Sequence, residues 1–179
     1  MSGVRVFRGL DASEHTWQVS MIARAPGQTF DTEDTNPVQL TLGSTGGLTI
    51  QPGTLVDSSG AAATGQATAY LTMIEVDEDA ALRAAPGDFG AELEDGSTAW
   101  LESWGMAGIL VVAAEGSELQ LASGSTAELE VPLVLPRIGR EPMEGDTVPF
   151  FWFDESTGLW MQDGEAVDSE SGNPIGTID

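Results

Sequence analysis

Val148-Pro149-Phe150-Phe151-Trp152-Phe153, Asp154-Glu155-Ser156-Thr157-Gly158 and Leu159-Trp160-Met161 follow one another directly in this chain. Aromatic and apolar runs on either side of a polar loop that ends in glycine read as two antiparallel strands joined by a hairpin. Gly158 supplies the positive φ that a type I turn followed by a bulge requires. Strand alternation sets Phe150 and Trp152 on one side and Phe151 and Phe153 on the other, so the hairpin carries aromatic mass on both faces. Trp152 and Trp160 read as structural residues that pack across it.

The same grammar extends outward through most of the chain. Val38, Leu40 and Leu42 alternate with polar residues, and Gly46-Gly47 leads into Leu48-Thr49-Ile50. Gln66 to Val76 is the longest strand candidate, with Ala67, Ala69, Leu71 and Met73 on one face and Thr68, Tyr70, Thr72 and Ile74 on the other, so both faces are expected to be partly covered. Trp100 to Ser103, Met106 to Ala113 and Leu119 to Leu121 give three more strands joined by glycine-containing turns. Ala127 to Leu133 alternates cleanly, and Pro132 in its outward register predicts an edge position, because proline cannot donate a ladder hydrogen bond. Only Asp77 to Ala85 suggests a helix, with acids in the first turn, Asp79 four residues before Arg83 and Pro86-Gly87 as a stop.

These signals predict an all-β fold, an antiparallel β-sandwich with at most one or two short helical turns. Three parts are expected: an N-terminal segment over 1–35, with strands such as Val4–Phe7 and Trp17–Ile22 added to the sheet; a sandwich core over 36–168; and a flexible tail over 169–179.

Six Lys plus Arg stand against 29 Asp plus Glu in 179 residues, a formal charge of -23, and no lysine occurs. Such a balance repels phosphate and anionic lipid, so it argues against nucleic acid and membrane-surface partners. No stretch reaches the roughly 18 apolar residues of a membrane span. Without cysteine there is no disulfide framework, thiolate metal site or thiol nucleophile.

Leu48 to Gly53, Gly116 to Gly124, Ala127 to Leu133 and above all Pro149 to Trp160 resemble a stretch of ZU5-like β-sandwich domains, a group that includes the extracellular domains of the FAM171 and cartilage intermediate layer protein families and many bacterial surface proteins. The resemblance covers residues 38 to 167. It implies an extracellular or cell-surface domain used for interaction, and it supplies no catalytic residues. Some ZU5 domains cleave themselves at a His-Phe-Ser step; the sole histidine here, in Glu14-His15-Thr16-Trp17, lacks that pattern and lies outside the matching region.

No catalytic site is expected. His15 alone cannot build a zinc centre, which needs more than one nitrogen or sulfur ligand, and Glu92, Glu94 and Asp95 are too close in sequence to flank a glycosidic bond from opposite sides. Calcium is the one cofactor the acidic loops suit, with Asp31, Glu33 and Asp34, Asp77, Glu78 and Asp79, and Glu94 and Asp95 as candidate ligands. None reproduces a spaced Asp-x-Asp-x-Asp-Gly loop, and solvated turns are the competing reading. Trp100 and Trp104, flanking Leu101-Glu102-Ser103, are the candidate exposed aromatics for ligand binding. The partners expected are a protein or matrix component, or a polysaccharide. Function is read as a noncatalytic structural or interaction module, with a carbohydrate-binding module as the alternative.

Overall fold

The computed structural model describes residues 21–133, 147–168 and 173–178. His15, Trp17 and the strands expected at Val4–Phe7 and over most of Trp17–Ile22 lie outside them. In chain order the elements are β1 (Gln28–Asp31), β2 (Val38–Leu42), β3 (Gly46–Ile50), β4 (Leu55–Val56), β5 (Gln66–Ile74), α1 (Asp79–Ala84), β6 (Gly90–Glu92), β7 (Thr98–Trp100), β8 (Met106–Ala113), β9 (Glu118–Leu121), β10 (Ala127–Glu130), β11 (Thr147–Asp154), β12 (Leu159–Asp168) and β13 (Pro174–Ile178). The all-β reading holds, and the helix is a single short one where the acids and Pro86-Gly87 placed it.

Two sheets face each other. One runs β1-β5-β8-β9-β4; the other runs β2-β3-β10-β13-β12-β6-β7, with β11 paired to β12. The alternating apolar residues of both sheets meet between them: Leu40, Leu42, Leu48, Ile50, Ala127 and Leu129 from one, and Leu55, Ala67, Ala69, Leu71 and Val111 from the other, form one core cluster. Burying such faces is the main force that joins the layers. The outward side of β5 is partly covered as well, since the Arg24 guanidinium lies 4.1 Å from the centre of the Tyr70 ring and the Ala25 N–H donates to Thr72 Oγ1 at 3.1 Å.

β12 organises the larger sheet. β11 follows it from Thr147↔Val167 to Asp154↔Leu159, so its opposite flank takes two partners in line: antiparallel β13 at Val167 and Asp168, and parallel β6 at Trp160 and Met161. That forked arrangement explains a second, separate core. Under β6 and β12, Ile74, Val76, Ala85, Ala91, Met106 and Trp160 pack together, joined by Phe89, Phe151 and Phe153.

Two expectations are corrected. The tail over 169–179 contains β13, which pairs with β10 from Ala127↔Ile178 to Glu130↔Ile175 and with β12 on its other side. β10 is therefore interior, between β3 and β13, and Pro132 marks no edge: the strand ends at Glu130 before the proline's missing donor matters. The buried Asn173 fastens the start of β13 by donating to Thr45 O and Glu130 Oε1, each at 3.2 Å.

Candidate functional site

The part of the larger sheet formed by β7, β6, β12 and β11 carries the site. Its inward residues, Ala91, Phe153 and Trp160, belong to the second core. Their sequence neighbours therefore project outward. Register aligns these in two rungs across four strands. One rung is Thr98, Glu92, Met161 and Trp152. In the other, Trp100 pairs with Gly90 and Leu159 with Asp154; a Cβ on Gly90 would stand 3.4 Å from Leu159 Cδ2, so Leu159 leans over the space the glycine leaves.

Trp100 is 76% exposed and Trp152 52%. Water-facing indoles on a sheet whose other face is fully packed form an aromatic surface with Leu159 and Met161 between them. Trp100 stands where its exposure was expected. Trp152 corrects the structural role assigned to it: it lies opposite Met161, while Phe153 is the residue opposite Trp160, with ring centres 5.4 Å apart. The register shifts between Pro149 and Phe151. The extra residue lies on β12, where Asp163 and Gly164, the latter at a positive φ of 73°, stand opposite the single Phe150. The Phe150 ring stands 3.3 Å from the position a Gly176 Cβ would take, while Trp152 is exposed.

Trp104 is the other correction. It is half-buried, and its Nε1 is buried with no hydrogen-bond partner among the described residues. Its neighbour Gly105 is pressed against the end of β10: a Cβ there would meet Pro132 O at 2.8 Å and Val131 Cγ1 at 2.9 Å. The segment is built into the body of the fold, and Trp104 is not an exposed aromatic as Trp100 is.

The candidate calcium ligands do not converge. Among the described residues no three His, Asp or Glu side chains group so as to hold a metal ion. Several acids build turns instead. Asp31 Oδ1 accepts the Glu33 N–H at 3.0 Å, Asp34 Oδ1 accepts the Asn36 N–H at 2.9 Å, and Glu33 Oε2 accepts the Gly65 N–H at 3.3 Å. Asp95 Oδ1 accepts the Ser97 N–H at 2.8 Å. The exposed Asp77, Glu78 and Asp79 stand at the entry to α1, where Glu78 makes no side-chain cap and Asp79 lies in the first turn. Glu94 is exposed in the β6–β7 turn. The same device closes the β11–β12 hairpin, where Asp154 accepts from the Ser156 hydroxyl and N–H, each at 2.8 Å, and from Thr157 Oγ1 at 2.8 Å.

These bonds favour the charged carboxylate. Asp57 and Asp95 are held below the ordinary 3.8 first by the hydroxyls of Ser59 and Ser97, Asp154 by that of Ser156, and Asp34 by the Asn36 N–H. A carboxylate lowered in the folded state contributes stability that is complete above its unfolded value and is lost as pH falls through the folded one. The expected result for a combined Asp57→Ala, Asp95→Ala and Asp154→Ala variant is a lower thermal midpoint than native at pH 7. That gap closes towards about pH 2, where the native turns lose their acceptors as well. A gap that stays constant across this range would mean that the charges do not hold the turns.

Compared with known proteins, the chain matches no family model, no curated protein and no solved structure.

Proposed function

We propose that this chain is a noncatalytic interaction module of an exported, cell-surface protein, and that the outer face of β7, β6, β12 and β11 is its contact surface. The exposure of Trp100 and Trp152 carries this reading: burying such rings against a partner gains apolar area that the monomer leaves in water. The acidic composition and the resemblance of Pro149 to Trp160 to extracellular β-sandwiches support the location. No residue is given a catalytic role. A second reading, a carbohydrate-binding module, is favoured by the exposure of Trp100, since an indole plane suits the apolar side of a sugar ring.

A photoreactive benzoylphenylalanine in place of Trp152 tests the contact surface, with the same residue in place of the exposed Gln39 on β2 as the control. With the intact envelope of the source cells, covalent adducts are expected at 152 and not at 39. Equal labelling at both positions, or none at 152, overturns the assignment. A hydrolytic activity lost on substitution of one carboxylate would overturn its noncatalytic part.

A further inference from the structure

The geometry points to a cationic partner: an extended peptide segment whose arginine or lysine side chains lie over Trp100 and Trp152 beside Glu92 and Asp154. This inference rests on the contact surface proposed above and names its occupant.

The polar chemistry of the face is one-sided. On its two rungs the charged side chains are Glu92 and Asp154, both acceptors. The two arginines among the described residues are placed elsewhere, Arg24 over Tyr70 and Arg83 in the last turn of α1. Each indole has a carboxylate close by. Glu92 is two residues along β6 from Gly90, the partner of Trp100, so it is the diagonal neighbour of that tryptophan. Asp154 follows Trp152 by two residues on the same face of β11, and its hydrogen bonds to Ser156 and Thr157 favour the charged form. A π face with a carboxylate at its rim suits a guanidinium or ammonium ion, which brings donors to a surface of acceptors and a positive charge to a chain of net charge -23. Arg24 on Tyr70 shows the same attraction within the fold. A neutral sugar supplies neither the charge nor donors in such excess, and an anionic one is repelled.

Spacing narrows the partner. Trp100 and Trp152 stand three inter-strand steps apart across the sheet and one rung, two residues, apart along it, about 16 Å in all. An extended chain covers that distance in about five residues, and the length of the cationic side chains lets two that are separated by three others reach both rings.

The test titrates the full chain at physiological salt with the peptide Gly-Arg-Gly-Gly-Gly-Arg-Gly. The readouts are the indole N–H resonances of Trp100 and Trp152; the controls are the same peptide with citrulline for arginine, and neutral cello- and chito-oligosaccharides. Both resonances are expected to shift with the arginine peptide and not with the citrulline one. Trp100→Ala or Glu92→Gln is expected to weaken binding by about tenfold, while Glu118→Gln on the other sheet leaves it unchanged. Equal losses from Glu118→Gln and Glu92→Gln, with none from Trp100→Ala, would show diffuse attraction to a polyanion and overturn the site. Binding of an oligosaccharide but not the peptide, lost in Trp100→Ala, would overturn the cationic occupant and leave the contact surface standing. Silence of both probes together with adducts at position 152 would also overturn only the occupant; silence together with no adducts would remove both.

Discussion

Removal of Pro174–Ile178 is expected to abolish cooperative unfolding, leaving a chain without a thermal transition in near-ultraviolet circular dichroism. Among the described residues β13 alone bridges, in the larger sheet, β10, with β3 and β2 beyond it, and β12, with β11, β6 and β7. Without it, β10 and β12 each lose a ladder, and the inner residues Pro174, Gly176 and Ile178 no longer cover the space beside Phe150 and Ala166. Unpaired backbone groups and an opened core act together against a net stability of only about 5–15 kcal/mol. A gentler version of the experiment is Gly176→Leu. A Cβ there already meets Ala166 Cβ and the Phe150 ring at 3.3 Å, so the added branches overpack an interior strand at a cost of about 1–3 kcal/mol. A truncated chain that melts cooperatively within a few degrees of the full one would show that β13 is an accessory.

Trp160→Ala is the second large effect. Trp160 is 9% exposed, tilted at 59° to Phe153 and stacked on Phe89 at 6.4 Å, and it is the largest side chain among the buried members of its core. Its removal is expected to cost about 3–5 kcal/mol in urea unfolding. Its Nε1, without a hydrogen-bond partner among the described residues, offsets part of what the ring contributes, but that offset is smaller than the lost packing. Trp152→Ala, eight positions earlier on the facing strand, is expected to stay within about 0.5 kcal/mol of native, because its ring is in water already. Comparable losses in the two variants would contradict their placement on opposite faces.

Both residues are tryptophans in one hairpin, and the sequence alone gave them the same role. The hairpin itself, the alternating strands and α1 were legible because each is local: the periods of two and the glycine and proline stops are written within a few residues. The bulge opposite Phe150 is not, since its only trace is one extra residue in β12 at Asp163-Gly164, and that run reads equally well without it. β13 was illegible for the opposite reason. Its inward positions are Pro174, Gly176 and Ile178, while Ile175, the residue that looks like core, faces out at 38% exposure. The small Gly176 is required by the Phe150 ring above it, a demand made from some 26 positions away. Trp100 was found by its exposure, but its relation to Trp152 depends on the parallel pairing of β6 with β12, a long-range contact that no local pattern announces. Glu92 was noticed only as part of an acidic turn; its place on the outer rung follows from the same pairing.

The proline of β11 also governs crowding. Among the described residues β11 has β12 alone beside it, so its far flank is an open strand edge immediately next to an exposed tryptophan, the combination from which fibrils grow. A second copy laid along that flank meets a proline without an N–H at Pro149. The exposed rings and the open edge are thereby uncoupled: copies of this chain brought close together can keep their rings in water without their strands zipping into one continuous sheet.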